Sequence, residues 1–200
     1  MFKKLVLFAM VAMLFFAAQA GRANAGLIVN GNFATGDFTG WTLGGDYANP
    51  LAWVTVNTDG LTTTPAGPSA TYAQFGTAGA AITLSQTLLT AANQTYSISF
   101  YLQNALPAST VNNEFQAFWD GARVVDMLGG VPSQMSSVWT PYSFTVMGTG
   151  GDTLTFSFLQ DASVINLTNV TSAAVPLPGA LLLMGPGLLG LIGVRRRLTK

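Results

Sequence analysis

Five side chains in the middle of the sequence have the types and spacing that a sugar site needs. Tyr101 and Phe118 fall on the polar side of two alternating apolar runs, YSISFYLQ and EFQAFW, and Gln103, Gln116 and Glu114 share that side. Sugar rings stack on aromatic faces, while amides and carboxylates bind hydroxyls; ligand sites commonly combine apolar walls with a few polar groups. If the two runs neighbour each other in one sheet, the five residues form one carbohydrate-binding surface. The competing reading is that the loop at residues 58–69, or sheet curvature, covers the rings and makes them secondary core. Trp53, near a loop, is a further candidate. Trp41, Trp119 and Trp139 fit inward positions and read as core.

Enzyme chemistry has little to draw on. The chain has neither His nor Cys. This removes zinc sites of the usual kind, Ser-His-Asp and Cys-His catalysis, iron–sulfur clusters, haem and disulfides. Paired carboxylates remain, and a glycosidase needs two of them ~5–9.5 Å apart. Glu114, Asp120 and Asp126 are the acids clustered in sequence. Asp120-Gly121 reads as a turn, however, and Asp126 as a solvated strand end. No catalytic residue and no metal ligand is assigned. The glycines of MGTGG at residues 147–151 read as a hairpin turn and not as a phosphate loop, since no G-x-x-x-x-G-K occurs.

The charges are segregated. Lys3, Lys4 and Arg22 lie at one end, and Arg195, Arg196, Arg197 and Lys200 at the other. Between residues 26 and 174 a single cation, Arg123, faces all eight acids of the chain, and it is expected to pair with a nearby one. Such a body repels phosphate and excludes a nucleic-acid binder.

The elements that must position these residues are strands. Tyr96, Ile98, Phe100 and Leu102 alternate with Ser97, Ser99, Tyr101 and Gln103; Leu154, Phe156 and Phe158 repeat the pattern. So do Tyr142, Phe144 and Val146, and Ile82, Leu84, Gln86 and Leu88. No segment before residue 175 holds a helical period over three turns. Further strands are expected near residues 27–33, 40–43, 52–57, 71–76, 123–128 and 163–171. About ten short strands in ~150 residues predict an all-β fold, a β-sandwich of two antiparallel sheets.

The two ends read as addresses. Residues 1–25 have the form of a signal peptide: Lys3 and Lys4, an uncharged apolar run at residues 5–18, then AQA and ANA sites. The mature chain is expected to begin near Gly26, after handling by the Sec translocon and signal peptidase. At the other end, Val175, Pro176, Leu177 and Pro178 form a stiff box. An uncharged transmembrane segment follows at about residues 178–194, and Arg195, Arg196 and Arg197 come next. With Leu177 the apolar stretch is about the minimum for a ~30 Å span, and the arginines would stay cytoplasmic.

VPLPGALLLMGPGLLGLIGVRRR resembles the PEP-CTERM sorting signal of Gram-negative bacteria, in its VPLP variant, over residues 175–200. Leu177 stands where the name-giving motif has Glu. The resemblance implies an exosortase-like processing enzyme that cuts near residues 176–178. It also implies transient residence in the inner membrane and a host that makes an exopolysaccharide matrix. The opening GLIVNGNFATGDFTGWTL, together with LSQTL, YSISFYL and the closing run at residues 164–172, is similar to the jelly-roll domains that precede many such signals. Those resemble carbohydrate-binding modules of the galactose-binding-like group. In such domains an acid in the opening motif and an Asp-Asp pair in the closing strand often join backbone carbonyls in a structural calcium site. Here Ala34 replaces the first acid and Thr168-Asn169 the pair. A calcium site is therefore disfavoured, since a hard cation wants 6–8 oxygens, preferably charged.

The expectation is a non-enzymatic exported protein of the cell surface or extracellular matrix, sorted through an exosortase-type system and associated with exopolysaccharide or biofilm. The alternative is a carbohydrate-binding, lectin-like module, and the third reading is a glycoside-active enzyme.

Overall fold

The computed structural model describes residues 27–58, 71–105, 113–128 and 135–176. The regular elements among them are β1 (Thr42–Gly45), β2 (Trp53–Thr58), β3 (Thr71–Leu88), β4 (Thr95–Asn104), β5 (Glu114–Trp119), β6 (Ala122–Leu128), β7 (Thr140–Met147) and β8 (Asp152–Ala174). All pairings between them are antiparallel. The period-two pattern does what it predicts: along β4 and β5 every second residue is buried and those between are half-buried. Asp120 and Gly121 have φ of 50° and 77° and join β5 to β6. A two-residue hairpin with positive φ at both positions favours Asp-Gly.

Two strands are longer than expected. The runs at residues 71–76 and 82–88 are one strand, β3, and those at 152–159 and 163–171 are one strand, β8. Their mutual register breaks between Phe75 and Thr77 and again between Thr77 and Ile82. Irregularities of this kind bend a strand, and here both strands pass from one sheet to the other. In the first sheet the order is β1–β3–β8–β5–β6, built on residues 82–88 and 152–159. In the second it is β2–β3–β8–β4–β7, built on residues 71–77 and 165–174. The expected sandwich of two antiparallel sheets is thus made from eight strands, two of them shared.

Aromatic rings fill the space between the sheets. Phe75 of the second sheet stacks on Phe158 of the first at 4.0 Å. Phe100 of the second meets Phe115 and Phe156 of the first at 5.5 and 5.2 Å. Trp41 and Trp119 belong to this core, as expected. Trp139 does not: it is half-buried, just ahead of β7.

Residues 27–33 form turns instead of the expected strand, with positive φ at Asn30 and Phe33. A buried side chain supplies the pairing that a neighbouring strand would have given. The Gln86 carboxamide accepts from Val29 N at 2.8 Å and donates to Val29 O at 3.0 Å and Gly40 O at 2.7 Å. This satisfies backbone groups that burial would otherwise orphan. Gly31 brings the same segment against β8. Its carbonyl accepts from Val170 N at 2.8 Å, and a Cβ there would lie 1.9 Å from Val170 O.

Candidate functional site

The five expected site residues do not form one surface. Tyr101 and Gln103 lie on β4, in the second sheet; Glu114, Gln116 and Phe118 lie on β5, in the first. The inward rings next to them, Phe100 and Phe115, face each other across the core. Tyr101 and Phe118 therefore project from opposite sides of the sandwich. On the first sheet, Gln116 donates to Glu114 Oε1 at 2.5 Å and to Asp126 Oδ1 at 3.2 Å. Arg123 pairs with Asp126 at 2.9 Å, as expected of the lone body cation. These groups mostly satisfy one another.

Tyr101 and Gln103 acquire partners that sequence alone did not supply. Cross-strand registers set Gln74, Asn166 and Gln103 side by side on the outer face of the second sheet, with Asn57, opposite Tyr72, diagonal to Gln74. Their side chains form a continuous chain of carboxamides. Asn57 Nδ2 donates to Gln74 Oε1 at 3.1 Å, and Gln74 Nε2 donates to Asn166 Oδ1 at 3.0 Å. Asn166 Nδ2 donates to Gln103 Oε1 at 3.1 Å, and Gln103 Nε2 donates to Ser137 O at 3.0 Å. Four strands are crossed in this way. Only one orientation of each amide satisfies the whole chain, so every member is fixed by its neighbours.

Aromatic rings flank the amides. Trp53, which is 58% exposed, donates from Nε1 to Gln74 Oε1 at 2.9 Å. Tyr72, opposite Asn57 on β3, meets Trp139 edge-on at 5.6 Å. Tyr101 lies opposite Thr168 on one side and Pro141 on the other. Asn166 and Thr168 point outward by alternation, yet both are buried. Asn57, Gln74 and Gln103, the other members of the row, are half-buried. Trp53 and Tyr101 are sequence candidates placed on this face. Trp139 is there against expectation, and Tyr72, Asn57, Gln74 and Asn166 went unrecognised.

The segment where the sequence resemblance places a calcium site is differently built. The Asn30 amide nitrogen donates to Asp37 O at 3.0 Å and Thr39 O at 3.1 Å, and its Oδ1 accepts from Thr35 N at 3.4 Å. Two carbonyls that could face a cation thus face amide hydrogens. The Asp37 carboxylate accepts from Thr35 Oγ1 at 2.7 Å and Thr39 N at 2.9 Å. These bonds, the Thr35 hydroxyl first, hold its pKa below the ordinary value. Among the described residues no group of three or more acids could hold a metal ion. The residues present do not fit calcium, whose shell is built from oxygens.

Two carboxylates do interact, though not those clustered in sequence. Asp152, fully buried at the start of β8, accepts from Thr90 Oγ1, from Thr149 N at 2.9 Å and from Thr149 Oγ1 at 2.7 Å. Asp120, on the neighbouring hairpin, accepts from Thr153 N at 2.7 Å. The Asp152 carboxylate is tied to three donors that close the turn before β8. That arrangement anchors backbone.

No protein-family model and no curated protein matches the sequence. Solved structures match the fold. TmCBM61, in complex with β-1,4-galactotriose, is 16% identical with a TM-score of 0.53, over 76% of this chain and 100% of that one. The CBM22-1 xylan-binding domain from Paenibacillus barcinonensis is 16% identical with a TM-score of 0.52, over 80% and 100%. A further protein, from Bacteroides thetaiotaomicron, matches at 10% identity and a TM-score of 0.51, over 75% and 100%. The enzymatically active domain of a bacteriophage CBA120 tailspike is 18% identical with a TM-score of 0.53. The match takes in 75% of this chain but only 21% of the tailspike. At these identities the likeness is one of fold, and the fold is the all-β jelly roll seen in carbohydrate-binding modules.

Proposed function

We propose that the protein binds an uncharged polysaccharide along the outer face of the second sheet. The observation that carries this reading is the fixed row of carboxamides, Asn57–Gln74–Asn166–Gln103, lying between exposed and half-buried aromatic rings. Carboxamides give and accept hydrogen bonds, which suits sugar hydroxyls, and the rings offer apolar faces for stacking. Because the amides already bind each other, they are positioned before a ligand arrives, which lowers the entropic cost of binding. The charge balance selects the polymer. Eight carboxylates against one arginine repel uronate- or phosphate-bearing chains.

Retardation of the full chain, held in a sugar-free zwitterionic detergent, in gels containing galactan or xylan tests this. Tyr101→Ala and Gln103→Ala are each expected to weaken retardation about tenfold in apparent affinity. Phe118→Ala, on the opposite side, is expected to leave it unchanged. Equal mobility of all three variants and the parent would reject the face.

The same reading includes export. It rests on the leader at residues 1–25 and the sorting-type tail at 175–200, of which residues 177–200, like the whole leader, lie outside the described residues. Leu27 N donates to Ser172 Oγ at 2.9 Å and Val175 N to Thr95 O at 2.8 Å. Both ends of the body therefore leave near the start of β4. Gln103 is eight residues further along that strand, or ~26 Å at ~3.3 Å per residue. A tether at one end and a glycan groove towards the other suit a protein presented from a membrane to an extracellular polymer. Replacing Arg195, Arg196 and Arg197 by Ala is expected to leave precursor accumulating. An unchanged ratio of mature to precursor protein on a blot would count against sorting.

A further inference from the structure

We infer that the groove ends in a pocket that takes a single uncharged sugar residue, so that the protein recognises a chain end or a side branch. The inference rests on the carbohydrate reading above and specifies where one residue of the ligand sits.

The pocket lies at the bend where β3 and β8 pass between sheets. It has a volume of about 290 Å³, with Leu51 and Trp53 at its walls, Gly76 and Thr77 from β3, and Gln160 and Asp161 from β8. It adjoins the amide row, because Trp53 lines the pocket and also donates to Gln74. Its size is at the lower limit of ligand pockets, which run ~300–1,000 Å³, and suits one ring and not a chain. Gly76 keeps β8 close: a Cβ there would lie 2.5 Å from Ser163 O.

Gln160 marks the pocket as more than a surface dent. Its side chain is 1% exposed, and its Nε2 donates to Asn104 Oδ1 at 3.1 Å. Its Oε1 is buried and has no partner among the described residues. A buried acceptor left without a donor is costly, and because Oε1 is shielded from solvent the carboxamide must turn towards the pocket for a sugar hydroxyl to supply one. Trp53 and Leu51, both highly exposed, offer apolar surface to the ring. Asp161 accepts from hydroxyls and repels a carboxylate. The ligand class that follows is a neutral hexose or pentose residue, and not a uronic acid.

Isothermal titration of the full chain in a sugar-free zwitterionic detergent tests this with galactose, glucose, xylose and glucuronate, and with β-1,4-galactotriose and xylohexaose as longer probes. At least one neutral monosaccharide is expected to bind and glucuronate is not. Gln160→Met and Asp161→Ala are each expected to weaken that binding by about tenfold, while Phe118→Ala, on the opposite side of the sandwich, leaves it intact. Asp161 is only half-buried, so its variant keeps the test valid if Gln160→Met misfolds. If an oligosaccharide binds but no monosaccharide does, or if both pocket variants bind monosaccharide normally, the pocket assignment is overturned and the groove stands. If neither short nor long probe binds, both fall together.

Discussion

Phe156→Ala is expected to remove about 3–5 kcal/mol of folding stability, the range for deleting a buried Phe side chain. The ring is fully buried. It lies 5.2 Å from Phe100, 5.8 Å from Phe115, 6.2 Å from Trp41 and 6.5 Å from Phe158. Phe100 belongs to the other sheet, so Phe156 is one of the rings that fasten the two layers. The neighbours are themselves planar and packed, and they cannot collapse into the space as flexible aliphatics would. A domain of this size has a total stability of ~5–15 kcal/mol, and the loss is a large share of it. Phe118→Ala, in the same sheet but pointing outward, is expected to cost less than about 1 kcal/mol. Urea unfolding of the two variants beside the parent measures the contrast. Equal midpoints for both would mean that Phe156 does not lie between the layers.

The same contrast explains what could be read from the sequence. Alternation assigns each residue to one side of its own strand, and it did so correctly for Phe100, Tyr101, Phe115 and Phe118. It carries no information on which sheet a strand joins. That depends on β8, which pairs with β5 through its first half and with β4 through its second, and bends between them. Tyr101 and Phe118 would share a surface if β4 and β5 were neighbours in one sheet; each strand pairs with a different half of β8, and the bend sends the two rings to opposite sides. The row of carboxamides was hidden for the complementary reason. Gln74 and Asn166 are 92 positions apart, and only the register of two long strands brings them into contact. Asn and Gln at outward positions are also ordinary surface residues, so no single one stands out. Residues 27–33 were misread as a strand because their apolar pattern is strand-like. Their backbone is held by the amide of Gln86, and that residue's place among Ile82, Leu84 and Leu88 was the visible clue.

Asp152→Asn is expected to destabilise the protein at neutral pH by about 2–3 kcal/mol, since hydrogen bonds to a buried charge are among the stronger ones. It is also expected to flatten the acid limb of the stability curve. Burial by itself would raise the pKa of Asp152. The hydroxyl of Thr90 and the amide and hydroxyl of Thr149 outweigh it and bring the value from the ordinary 3.8 down to about 2. A depressed carboxyl binds fewer protons folded than unfolded. Its stabilising contribution is therefore complete above about pH 4 and disappears as pH falls through about 2. Asp120 behaves in the opposite sense. Thr153 N favours its charged form, but burial and the charge of Asp152 together raise its pKa. Its contribution is present below the ordinary value and lost as pH rises through the folded one. Asp120→Asn keeps an acceptor for Thr153 N and removes the repulsion, so it should leave neutral stability equal or slightly higher. Thermal melts of the parent and both variants between pH 2 and 7 separate the two groups. The parent should lose more stability than Asp152→Asn between pH 4 and 2, and curves that run parallel across that interval would show that the carboxylate does not hold the turn before β8.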